Sequence, residues 1–112
     1  LRRAPELVVK LVVTVKDGTV VEVDAQPGWS VMENIRDLPQ SVEAICGGMC
    51  ACATCHVYVD PDWIARLAPR RYEERAMLET APSFDPLRSR LSCQIVVTQA
   101  EDGLKLTVAP DA

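Results

Sequence analysis

The chain has 112 residues, enough for one domain around a single core and too few for two, so 1–112 is read as one domain. Sixteen acidic against twelve basic side chains give a formal charge of −4, which argues against a nucleic-acid binder and suits a partner with a basic face. The longest apolar stretch, residues 7–15, is interrupted by Lys10 and too short to span a bilayer, so no membrane insertion is expected. Five cysteines, an odd number, point away from a secreted disulfide framework and toward a reducing compartment, with the cytoplasm as the default. A first residue of Leu1 in place of Met leads us to expect that the natural start lies further upstream.

Val9, Leu11, Val13 and Val15 alternate with Lys10, Thr14 and Lys16, the period of a half-buried strand. Asp17-Gly18 then turns the chain and alternation resumes from Thr19 to Ala25, so this part reads as an antiparallel hairpin. Ser30 and Glu33 make a capping box ahead of a helix that carries Val31, Ile35 and Leu38 on one face and ends near Pro39. A cysteine-rich loop, 46–55, runs into a strand at 57–59 that Pro61 breaks. Two short helices are expected next. The first, about 61–68, holds Trp63, Ile64 and Leu67 on one side, and the second, about 69–80, holds Tyr72, Ala76 and Met77. After an irregular 82–86 segment, residues 93–98 and 104–108 read as a final pair of strands separated by Asp102-Gly103.

The chemistry is concentrated in the cysteines. Cys46, Cys52, Cys55 and Cys93 stand in a C-x5-C-x2-C-x37-C array, the donor set of one [2Fe-2S] cluster. Thiolate ligands must be deprotonated and held at metal distance, which a compact loop does for three of them while a distant strand start supplies the fourth. Gly47 and Gly48 permit positive φ and leave room for backbone N–H groups to face the sulfurs. A closed four-thiolate zinc site is the structural alternative, but zinc ligands usually come as C-x2-4-C pairs at both ends, and Cys93 stands alone. A redox-sensing or zinc-stabilised interaction domain is accordingly the reading from a different functional class. A thioredoxin-like use of Cys52 and Cys55 would leave the other cysteines without a role. Cys50 is assigned as a buried or half-buried thiol outside the metal set.

Three stretches carry a resemblance that spans most of the chain: Cys46-Gly47-Gly48, the run from Cys52 through Ala53, Thr54, Cys55, His56 and Val57 to Val59, and Arg88-Ser89-Arg90-Leu91-Ser92-Cys93-Gln94. Together they resemble the adrenodoxin and putidaredoxin type of [2Fe-2S] ferredoxin. The resemblance implies an α+β, β-grasp (ubiquitin-like) fold, a mixed sheet with one main helix and short helices near the cluster. It implies a soluble, monomeric one-electron carrier of the bacterial cytoplasm and not an enzyme. Its expected partners are an NAD(P)H-dependent FAD ferredoxin reductase as donor and a cytochrome P-450 monooxygenase or other oxygenase as acceptor. Electron donation to iron-sulfur cluster assembly, suggested by Cys50, is the nearest alternative.

By the same resemblance Thr54 and His56 join Gly47 and Gly48 in supporting the cluster loop, with His56 bonding across to the segment before Cys93 and Ser89 and Arg90 as tethers. The family docks its partners through an acidic helix, and Glu73, Glu74 and Glu79 fall on the acidic positions. The residues themselves leave another reading open, in which Arg70 with Glu74 and Arg75 with Glu79, each four apart, satisfy one another on a solvated face. Two departures count against a putidaredoxin-like contact with its own monooxygenase: Ile45 precedes the first ligand where an acid is common, and no aromatic residue follows Pro110.

Overall fold

The computed structural model describes residues 9–43 and 54–110. Its strands are β1 (Val9–Thr14), β2 (Val20–Ala25), β3 (His56–Val59), β4 (Ser89–Leu91) and β5 (Leu104–Val108), and its helices are α1 (Val31–Ile35), α2 (Pro61–Ile64) and α3 (Tyr72–Leu78). The five strands form one mixed sheet in the order β2-β1-β5-β3-β4. β1 pairs antiparallel with β2 and parallel with β5, and β3 runs antiparallel to both β5 and β4. This is the β-grasp arrangement.

The hairpin follows from its pattern. Val9, Leu11 and Val13 are fully buried, while Lys10 on the other face is ion-paired with Asp24 opposite it at 2.6 Å. The reversal needs a left-handed residue, and Gly18 supplies it at φ +92°. Ser30 caps α1 reciprocally: its Oγ accepts from Glu33 N at 3.1 Å and its own N–H donates to Glu33 Oε1 at 2.8 Å. Val31, Met32 and Ile35 of this helix join Leu11, Leu104, Leu106, Val57 and Val97 in one apolar core.

Several elements differ from the sequence reading. α1 stops at Ile35 instead of running to Pro39. Leu38 N–H still bonds Ile35 O, but a residue before proline is driven out of the α region and the last turn tightens. Asp60 caps α2 and Pro61 opens it, yet beyond Ile64 the chain continues only through i→i+3 bonds, Arg66 N to Trp63 O and Leu67 N to Ile64 O. α3 covers only 72–78 of the expected 69–80, and its buried face is Glu74 and Leu78; Tyr72 is 83% exposed and Ala76 is exposed.

Residues 93–98 are not a strand. They begin in a 3-10 turn, Ser92–Gln94, and then run extended against the α1 entry, where Val97 N donates to Trp29 O and Gly28 N to Val97 O. Buried Ile95 and Val97 flank exposed Val96 as in a strand, but the partner is a loop and not a strand of the sheet. Gly103, at φ +91°, does not join paired strands either. Its N–H bonds Lys10 O while Lys10 N–H bonds Asp102 Oδ1, which starts the parallel ladder of β5 on β1. The strand that the sequence reading omitted is β4, all three of whose residues are buried although two are polar.

Candidate metal centre

Cys55 ends the loop that leads into β3, and Cys93 lies in the 3-10 turn that follows β4. The antiparallel register sets His56 opposite Leu91, so the residues just outside this pair are brought together. Ser92 closes the junction twice, its N–H donating to Cys55 O at 2.9 Å and its Oγ to the same oxygen at 2.8 Å. The result is a pair of thiol sulfurs 3.3 Å apart, Cys55 buried and Cys93 half-buried. That separation is far beyond a disulfide bond of about 2.05 Å. Two thiolates on one tetrahedral metal, each about 2.3 Å from it, stand roughly 3.8 Å apart, so a small adjustment converts this pair into half of a four-thiolate site. The donors present therefore fit an iron-sulfur group. Cys46, Cys52, Gly47, Gly48 and the extra Cys50 lie outside the described residues.

Around this pair the structure buries polar groups in quantity. His56 is fully buried and its Nε2 is 2.7 Å from Ser89 Oγ, the bond expected across to the segment before Cys93; Ser89 Oγ also accepts from Asp85 N–H at 2.7 Å. The ring meets Tyr58 edge-on at 5.1 Å, and the Tyr58 hydroxyl donates to Ser83 O. Asp85 opens the turn that carries Ser89. The Leu87 N–H on its carboxylate, together with the Arg88 guanidinium, holds the Asp85 carboxyl below the ordinary aspartate range. Thr54 contributes its carbonyl, which accepts from Glu43 N–H at 3.1 Å.

Glu74 is a correction to the sequence reading. It is 2% exposed, and its carboxylate receives Arg90 Nε at 2.7 Å, Arg90 Nη2 at 3.2 Å and Leu91 N–H at 2.8 Å. It is an internal counter-ion to Arg90 and cannot meet a partner. Arg70, expected opposite Glu74, instead donates to Ser89 O and Pro86 O and ties the 85–89 turn down. Glu73 and Glu79 are exposed, Glu79 in the i,i+4 pair with Arg75 at 3.1 Å.

The comparisons agree with this donor chemistry. Residues 14–98 match the family described as the 2Fe-2S iron-sulfur cluster binding domain. The chain belongs to the [2Fe-2S] ferredoxins. Ferredoxin CarAc of Sphingomonas sp is 47% identical over 85 residues, 75% of this chain and 77% of that relative. A crystal structure of ferredoxin from Rhodopseudomonas palustris HaA2 superposes with a TM-score of 0.82 at 40% identity, covering 89% of this chain and 95% of that one. Putidaredoxin, solved in covalent complex with putidaredoxin reductase, gives a TM-score of 0.81 at 37% identity over 88% of this chain and 96% of that one. This ferredoxin is thus a putidaredoxin-type electron carrier with one [2Fe-2S] cluster, and not an enzyme.

Three contributors to the site of this ferredoxin escaped sequence reasoning. Ser92 fixes the Cys55 carbonyl, Arg70 anchors the turn before β4, and the Gln94 side-chain amide lies 3.4 Å from Cys93 Sγ. Ser92 and Gln94 flank a cysteine that draws the attention, and Arg70 reaches the turn from 16 to 19 residues away, so neither spacing nor pattern marks them. Among the described residues, no helix is long and apolar enough to cross a membrane.

Proposed function

We propose that this ferredoxin carries single electrons from an NAD(P)H-dependent FAD ferredoxin reductase to a cytochrome P-450 monooxygenase or related oxygenase, as a monomer in the bacterial cytoplasm. Cys46, Cys52, Cys55 and Cys93 are its cluster ligands. The observation that carries this ligand assignment is the convergence of Cys55 and Cys93 from opposite ends of paired strands to 3.3 Å. When bound, the cluster supplies a one-electron couple in which no covalent bond of the protein is made or broken. The protein's part is to hold the four thiolates deprotonated, to bury the Cys55 side and to leave Cys93 nearer the solvent, where an electron enters or leaves.

The reductase is the better supported of the two partners, because putidaredoxin forms a complex with its own reductase. Exposed Glu73 on α3 and Glu79 at its C-cap are the docking acids, and Glu74, buried beneath them, couples the helix to Arg90 and Leu91, the latter two residues from Cys93. Gly47, Gly48, Thr54 and His56 support the loop.

Anaerobic dithionite titration followed by visible absorption and low-temperature EPR tests the assignment. Bleaching with a rhombic S = ½ signal of about one spin per chain is expected in the wild type and in Cys50→Ser, and its loss in Cys93→Ser. A colourless protein with stoichiometric zinc, or a Cys93→Ser variant with the wild-type spectrum, overturns it. Glu73→Lys with Glu79→Lys should slow reduction by the reductase and flatten its dependence on salt; an unchanged rate and slope would remove α3 from the docking surface.

A further inference from the structure

We propose that the side-chain amide of Gln94 is a hydrogen-bond donor to the Cys93 sulfur and holds the reduction potential of this ferredoxin up; the inference rests on Cys93 being a cluster ligand. Gln94 closes the 3-10 turn Ser92–Gln94, and its Nε2 lies 3.4 Å from Cys93 Sγ, within reach of an N–H···S bond to a large acceptor atom. A ligating thiolate has no proton to give, so the amide must present its nitrogen and not its oxygen.

The placement is imposed by the backbone. Ile95 N–H bonds Ser92 O, Ser92 bonds Cys55 O through both its N–H and its hydroxyl, and Ile95 is buried, so the turn that aims Gln94 is fixed at both ends. The side chain itself is exposed and sits at the rim of a shallow depression that Leu67, Ile95 and Val96 line together with Arg90, Thr98 and Glu101.

Reduction adds one electron and no proton, so the thiolate sulfurs carry more negative charge afterwards. A donor aimed at one of them stabilises the reduced form more than the oxidised form, and the potential rises. Charge-assisted donors are about twice as strong as neutral ones, so one such bond has a measurable effect even at an exposed position.

Spectroelectrochemical titration of the intact holoprotein separates the outcomes. Gln94→Met keeps the length and removes the donor, and at a fixed ambient potential its reduced-to-oxidised ratio should fall about threefold to tenfold, tenfold being about 59 mV for one electron. Gln94→Glu, which adds a repelling charge, should fall further, and Gln94→Lys, which adds a cationic donor, should rise above wild type. Spin counts stay at the wild-type level throughout. Potentials equal to wild type in the Met and Glu variants with the cluster intact would overturn the role of Gln94. Should the Met variant lose its cluster, an unchanged or lowered potential in Gln94→Lys would do the same. A Cys93→Ser variant with a wild-type spectrum would instead remove the ligand assignment on which the proposal stands.

Discussion

The two ends of the sheet are held together by different physics. On the β1–β2 end the interior is aliphatic, with Val9, Leu11 and Val13 fully buried, and the charged pair Lys10–Asp24 lies outside. On the β3–β4 end, five of the seven buried polar side chains among the described residues are gathered: His56, Glu74, Ser89, Arg90 and Ser92. Aliphatic packing is non-directional and yields gradually when a side chain changes. A satisfied polar network has one geometry and loses it all at once, since each broken bond leaves a buried group without a partner. The metal centre is built on the second kind of support, where the position of a sulfur matters to a fraction of an ångström.

The sharpest way to break this contrast is Glu74→Ala. It strands the Arg90 guanidinium in the interior and removes the acceptor of Leu91 N–H, so a loss of about 3–5 kcal/mol is expected in denaturant unfolding, with a changed visible spectrum as the Cys93 turn shifts. Replacing both charges, Glu74→Leu with Arg90→Met, should restore part of that stability but not all. Leu91 N–H and Ala68 O would still lack the partners they now have. A double variant no more stable than Glu74→Ala would contradict the account.

On the other end, Leu11→Ala opens a cavity under β1 at a cost of about 2–5 kcal/mol, measured in the same way. Here the visible spectrum and the potential should stay at their wild-type values. A potential that moved with Leu11 would erase the distinction between the two ends.

The smallest effect is in acid. The folded Asp85 carboxyl lies below its ordinary value near 3.8, held there first by Leu87 N–H and then by Arg88. Its stabilisation is therefore complete above the unfolded value and lost as pH falls through the folded one. Asp85→Asn should lower stability slightly at pH 7, leave it near wild type in strong acid and so remove part of the decline below about pH 4, followed by thermal melts across pH.

The same contrast governs what the residues reveal before folding. The hairpin and the Ser30 capping box were legible, because alternation and a local cap are written in residues close together. β4 was not, because Ser89 and Arg90 look like surface residues until their distant partners His56 and Glu74 are known. The phase of α3 failed for the same reason: an apolar pattern placed Tyr72 inward, while a carboxylate needed by Arg90 placed Glu74 there. For 93–98 the expected strand pairing with 104–108 failed, since nothing local distinguishes a sheet neighbour from the loop that carries Trp29.

β5 lies between β1 and β3, and only through it are the hairpin and the β3–β4 pair joined in one sheet. Among the described strands it is also the last in chain order. Until residue 108 has been synthesised, the early hairpin and the cysteine-bearing pair cannot share a sheet, and each exposes the edge that β5 will cover. The decisive contacts join residues some ninety positions apart, so closing the sheet is a non-local event, and joining the β3–β4 support for the metal centre to the hairpin waits on residues 104–108.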